Sequence, residues 1–257
     1  PTLQHVELAQ DIIHRIPEKL AAASRYPQGA QALALGLMLS HNASDWKIQI
    51  NSIGVHIDHN ILTTLHELLP DLAALPDSQR VPLIELCIPT LKMLSAAEAA
   101  AFKGHLLVLI KSDKKVELWE WALYRIFTLA LEKPQPARPR YNKPARLAEE
   151  CRLVLAAVAY TGATNQKTAE TAFFSAASRL GLSTAIPDKS NLRQSNLHRA
   201  LGKIRLLMPL EKPAFLKALC AAAEADGAIK VREVELIRAI AESIDCPMPP
   251  LLIAAQP

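Results

Sequence analysis

Aromatic residues make up only 5% of this 257-residue chain, and it contains just eight glycines. Runs of β-branched residues are scarce as well, which argues against sandwiches and barrels. With so little glycine there is no G-x-G-x-x-G turn and no Walker loop, so nothing here cradles a nucleotide phosphate by a known backbone device. A G-x-S-x-G nucleophile elbow is also missing, and catalysis is unsupported. Cys87, Cys151, Cys220 and Cys246 are isolated, with no C-x-x-C pair, and read as buried free thiols in a reducing compartment. No hydrophobic run is long enough for a bilayer. The charge-free stretch from Tyr26 to Ser44 is broken by Gln28, Gln31, His41 and Asn42 and falls short of the roughly 20 apolar residues a span needs. The opening Pro-Thr-Leu-Gln-His has neither a signal-peptide pattern nor an initiator Met, so the chain reads as a fragment. Its net charge of +4, from 29 basic and 25 acidic residues, is too mild to argue for nucleic acid.

What is abundant is alanine and leucine, within a chain that is 50% hydrophobic. Both are strong helix formers. A 3.6-residue apolar period runs through nearly every segment, interrupted by Pro, Gly or Asn/Asp/Ser clusters, and predicts an all-α array of about twelve helices in antiparallel hairpins. Ser95-Ala-Ala-Glu98 is a capping box and predicts a helix from 95 to 111. Further helices are expected over 189–208, 212–224 and 230–244. Four prolines between Lys133 and Pro144 forbid a helix there and predict an extended connector. The expected organisation is therefore an N-terminal helical domain over 1–132, a Pro-rich linker over 133–144 and a C-terminal helical domain over 145–257.

An internal repeat links the two halves. At an offset of 113 residues, Phe102, Leu106, Asp113, Glu120, Leu123 and Arg125 fall on Phe215, Leu219, Asp226, Glu233, Leu236 and Arg238. Six identities over 25 positions exceed the roughly two expected by chance in so Leu/Ala-rich a chain. Each copy reads as a helix, an Asp-led turn, an inward β-branched residue and a second helix.

The run Ala225-Asp226-Gly227-Ala228-Ile229-Lys230-Val231-Arg232-Glu233 resembles the signature of TerB-like (tellurite-resistance B) helical domains, with Gly227 placed where a turn needs positive φ. The wider chain resembles the region after the protease domain in bacterial membrane zinc metallopeptidases of the HtpX class. The segments that carry this likeness are Ile16 to Ala23, Pro27 to Leu39, Val81 to Ser95, Phe102 to Phe127 and Asp245 to Leu252. Two departures stand out. Lys114 replaces the turn glycine in the first copy, and His66-Glu67-Leu-Leu-Pro70 has proline where an H-E-x-x-H helix needs its second His. The resemblance implies a non-catalytic, TerB-like regulatory or protein-interaction domain on the cytoplasmic side, tethered to the inner membrane through a preceding region. Its implied partners are its own peptidase domain and other proteins, and zinc belongs to that peptidase domain alone. The alternative is a stand-alone TerB-like protein of the stress response that binds a divalent cation.

Four carboxylates could serve such a cation: Asp113, Glu120, Asp226 and Glu233. The competing reading is helix capping by the turn acids. His56, Asp58 and His59 come closest to a histidine ligand cluster, and a polar loop after Gly54 is their plain reading. Trp119 and Trp121 sit on a helix that is apolar nearly all round, and are either its core post or a docking edge. Lys189, Arg193, His198, Arg199, Lys203 and Arg205 are expected on one helix, with Arg138, Arg140, Lys143 and Arg146 in or beside the linker. Solvated faces are the plain reading of both sets, an anionic membrane surface comes next, and nucleic acid is disfavoured for want of stacking aromatics.

Overall fold

The computed structural model describes residues 15–39, 43–111, 118–132, 137–225, 227 and 229–246. Among them the chain is all-α, with twelve α-helices, two 3₁₀ turns and no β-strand. It divides into two compact units, residues 1–132 and 133–257.

In the first unit, α1 (Glu18–Ala23) and α2 (Pro27–Leu37) are followed by α3 (Ala43–Gly54), α4 (His59–Ala73), α5 (Asp77–Leu91), α6 (Ala96–Lys111) and α7 (Leu118–Ala130). Proline at its first position opens α2, where the missing N–H costs nothing. Every residue from Gly29 to Leu37 is buried, and the helix packs against α4 and α5. A helix apolar on every side has to be a core element.

The ends of these helices are closed from a distance. Thr90 Oγ1 donates to the carbonyl of Ser24, the C-cap of α1, at 2.6 Å. A guanidinium N–H of Arg80 donates to the carbonyl of Leu37 at the end of α2, also at 2.6 Å. Both donors come from α5. Pro70 lies inside α4 and removes one ladder donor. Lys19 closes around that point, donating to the Glu67 carbonyl at 2.6 Å and pairing with Asp71 at 2.8 Å.

In the second unit, a 3₁₀ turn (Pro144–Leu147) leads into α8 (Ala148–Gly162), followed by α9 (Gln166–Arg179), α10 (Gln194–Ile204), α11 (Lys212–Ala223) and α12 (Val231–Ser243). Here α8 is the central post. Cys151 and every residue from Val154 to Ala159 are buried, and the helix packs against α9, α10, α11 and α12. Asn165 caps α9, its side chain accepting from Thr168 N–H at 3.0 Å while the Thr168 hydroxyl accepts from Asn165 N–H at 3.2 Å.

One sequence expectation changes in this unit. The single helix expected over 189–208 is a 3₁₀ turn (Lys189–Asn191) followed by the shorter α10. Asp188 accepts from Ser190 N–H at 2.8 Å and closes a tight turn, and Leu192 then leaves helical geometry at φ −83°, ψ 41°. Lys189 thus stands before the helix, Arg193 at its N-cap and Arg205 at its C-cap. The described part of the proline-rich connector is fastened to the end of α10. Residues 140 and 141 donate to the Leu206 carbonyl at 2.8 and 3.2 Å, and Met208 N–H donates to the Tyr141 carbonyl at 2.9 Å, giving one parallel bridge between Tyr141 and Leu207.

Candidate functional site

The repeated helix pairs, α6–α7 and α11–α12, bury the same positions. Phe102 and Phe215, Leu106 and Leu219, and Leu123 and Leu236 are all core residues, while Arg125 and Arg238 are half-buried. Glu120 and Glu233 are each only 2% exposed. Both occupy the third position of the second helix, where a glutamate can reach back to the exposed N–H groups of the first turn.

At Glu233 that reach is made: its carboxylate accepts from Lys230 N–H at 2.8 Å. The same carboxylate lies against the last residue of α8. A Cβ on Gly162 would come within 1.9 Å of Glu233 Oε1, so glycine is what lets the two elements meet. Lys230 completes the junction, its ammonium donating to the Gly162 carbonyl. That carbonyl belongs to the C-terminal turn of α8, which lacks intrahelical donors and carries the negative end of the helix dipole. One Lys-Gly-Glu junction therefore ties the end of α8 to the start of α12.

Beside it lies a cavity of about 100 Å³ lined by Ala159, Thr168, Thr171, Ala222 and Glu233 among others. Ligand clefts are several times larger, and this one has room for a few waters or a small ion.

Asp113 and Asp226 lie outside the described residues, so Glu120 and Glu233 are the candidates with defined positions. No group of three metal-ligating side chains occurs among the described residues. Asp58 is used as the N-cap of α4, accepting from Asn60 N–H at 2.8 Å. The His56 carbonyl lies 2.9 Å from His105 Nε2. Gly227 has φ +89°, the left-handed conformation its turn called for.

Trp119 and Trp121 are buried, at 6% and 7% exposure. Arg193 and Arg199 are exposed, and Arg199 donates to Asn196 Oδ1 at 2.7 Å. Lys203 reaches Glu150 at 2.5 Å, and this hydrogen bond raises the Lys203 pKa above its ordinary value. Sequence reasoning did not find the Gly162 contact, because nothing local marks a glycine as facing a carboxylate 71 positions away.

Searches against protein-family models, curated proteins and solved structures find no match. No described helix is long and apolar enough to cross a membrane.

Charge divides unevenly between the units. Residues 133–257 hold 18 Lys and Arg against 11 Asp and Glu, a formal +7, and residues 1–132 hold 11 against 14, a formal −3.

Proposed function

We propose that this chain is a non-catalytic helical docking domain on the cytoplasmic side of a membrane zinc metallopeptidase, acting in regulation, substrate presentation or partner capture. The supporting observation is the repeated helix pair, in which residues identical at an offset of 113 share their burial, together with the resemblance of the flanking segments to the HtpX class. These residues do not fit a catalytic zinc of the H-E-x-x-H kind. His66 and Glu67 are followed by Pro70 at the position of the second ligand, inside α4. The zinc chemistry belongs to a domain outside this chain. The deciding experiment is to read the coding sequence upstream of Pro1. Apolar spans of about 20 residues together with an H-E-x-x-H helix support the reading, and a start codon within a few residues overturns it.

A second reading rests on the buried, repeat-equivalent Glu120 and Glu233, the latter beside a small, mostly alanine-lined cavity. Here the chain is a stand-alone TerB-like stress-response protein that takes a divalent cation at its acidic turns. Calorimetric titration with calcium and with zinc separates the two readings. Docking expects no saturable heat, and the cation reading expects a stoichiometric site lost in Glu233→Gln.

A further inference from the structure

The loop after α10 presents apolar side chains that no described residue covers. Leu210 is 91% exposed and Met208 50%, with the exposed Pro209 between them. Leu207, one residue earlier, is fully buried, so the chain turns outward just past it. The neighbouring extended segment is basic: Arg138, Arg140 and Lys143 are all exposed. The two segments are fastened to each other. Arg140 N–H and Tyr141 N–H both donate to the Leu206 carbonyl, and Met208 N–H donates to the Tyr141 carbonyl.

An apolar tip thus sits on a backbone that three hydrogen bonds tie to a segment carrying three exposed cations. Lys203, near the end of α10, lies three residues before the bonded Leu206, and exposed Lys217 lies on α11 just beyond the loop. The acids in these segments are few. Glu150 engages Lys203, Asp245 engages Arg205 at 2.5 Å, and Glu211 is the one carboxylate of the loop itself.

A purely polar partner would leave Leu210 in water, and a purely apolar groove would leave the cations unused. The headgroup region of an anionic bilayer takes both at once. Basic side chains meet its surface potential while Leu and Met enter the acyl boundary. We infer that the Met208–Leu210 loop and the Arg138–Lys143 segment form a peripheral docking surface for anionic lipid bilayers. This goes beyond the peptidase reading and stands without it.

The test is flotation of the full 257-residue chain with vesicles of phosphatidylcholine alone and of phosphatidylcholine mixed with phosphatidylglycerol. Binding is expected only to the mixed vesicles, and salt should weaken it. The triple variant Arg138→Gln, Arg140→Gln, Lys143→Gln should lower the partition coefficient on the order of a hundredfold, at roughly fivefold per cation. Leu210→Ser should lower it about tenfold or more through lost apolar burial. These side chains are exposed, so both variants should keep the helical circular dichroism of the parent. Failure to float with mixed vesicles overturns the inference. So does full binding by Leu210→Ser with equal competition from duplex DNA, which would mark a general polyanion patch.

Discussion

At the scale of single residues, a buried hydroxyl and two buried thiols carry consequences that can be measured. Thr90 Oγ1 donates to the Ser24 carbonyl within the core. Thr90→Val keeps the shape and removes the donor, so the cost is that of a buried carbonyl left without this partner, about 1–3 kcal/mol. Urea unfolding with an unchanged m-value would record it. Cys87 and Cys151 are pushed up to about 12 by burial, above their ordinary value of 9.0. In the native protein at pH 8, thiol reagents should therefore label Cys220 and Cys246 first, since both are only half-buried. The pH dependence has a definite sign. Above about pH 9 the unfolded chain releases these protons and the folded chain holds them, so stability falls as pH rises toward 12. Below pH 9 the two thiols contribute no slope.

At the scale of elements, the junction between α8 and α12 is the sharpest case. Gly162→Ala places a methyl group against Glu233 Oε1, and the expected cost is about 1–3 kcal/mol, because a buried carboxylate that caps a helix has little room to retreat. Glu233→Ala removes the clash along with the cap. The alanine at 162 should then be nearly neutral, and a double-mutant cycle should return a coupling as large as the single-mutant cost.

The sequence reveals some of this architecture and hides the rest. Ser95 and Glu98 announce their helix and make both bonds of the box, at 2.8 and 3.3 Å. The start of α9 at Gln166 is closed by a similarly local pair, Asn165 and Thr168, three residues apart. The interruption before α10 is not legible, because the apolar period continues through a turn that one Asp188 hydrogen bond decides. The pairing of the Pro-rich segment with the end of α10 is hidden for another reason. It is made by backbone groups, which every residue carries alike. Of the candidate site, buried Glu233 was legible from the repeat, whereas Gly162 and Lys230 act through contacts across about 70 residues.

At the scale of the whole molecule, the two units have separate cores, each built round its own buried helix, α2 in one and α8 in the other. Each unit is of ordinary domain size. Residues 1–132 and 133–257 expressed separately should each give a helical spectrum and a cooperative thermal transition. Loss of structure in either alone would show that its core is incomplete. The separated units should also part on ion exchange near neutral pH, with residues 133–257 held on a cation exchanger and residues 1–132 passing through, as their formal charges of +7 and −3 require. The docking surface inferred for lipid lies wholly within the basic unit, so vesicle binding should follow that unit.

The far-reaching bonds from α5 set an order of events during synthesis. Ser24 and Leu37 end the first two described helices, yet the donors that close those ends sit at Thr90 and Arg80, 66 and 43 residues downstream. A ribosome must release some fifty further residues before the N-terminal segment can be sealed. Until then α1 and α2 are short, apolar and open at their C-termini, below the length at which an isolated helix holds in water. A nascent chain arrested before residue 80 therefore shows its stickiest surface, Ala30 to Leu39, to whatever waits at the exit tunnel.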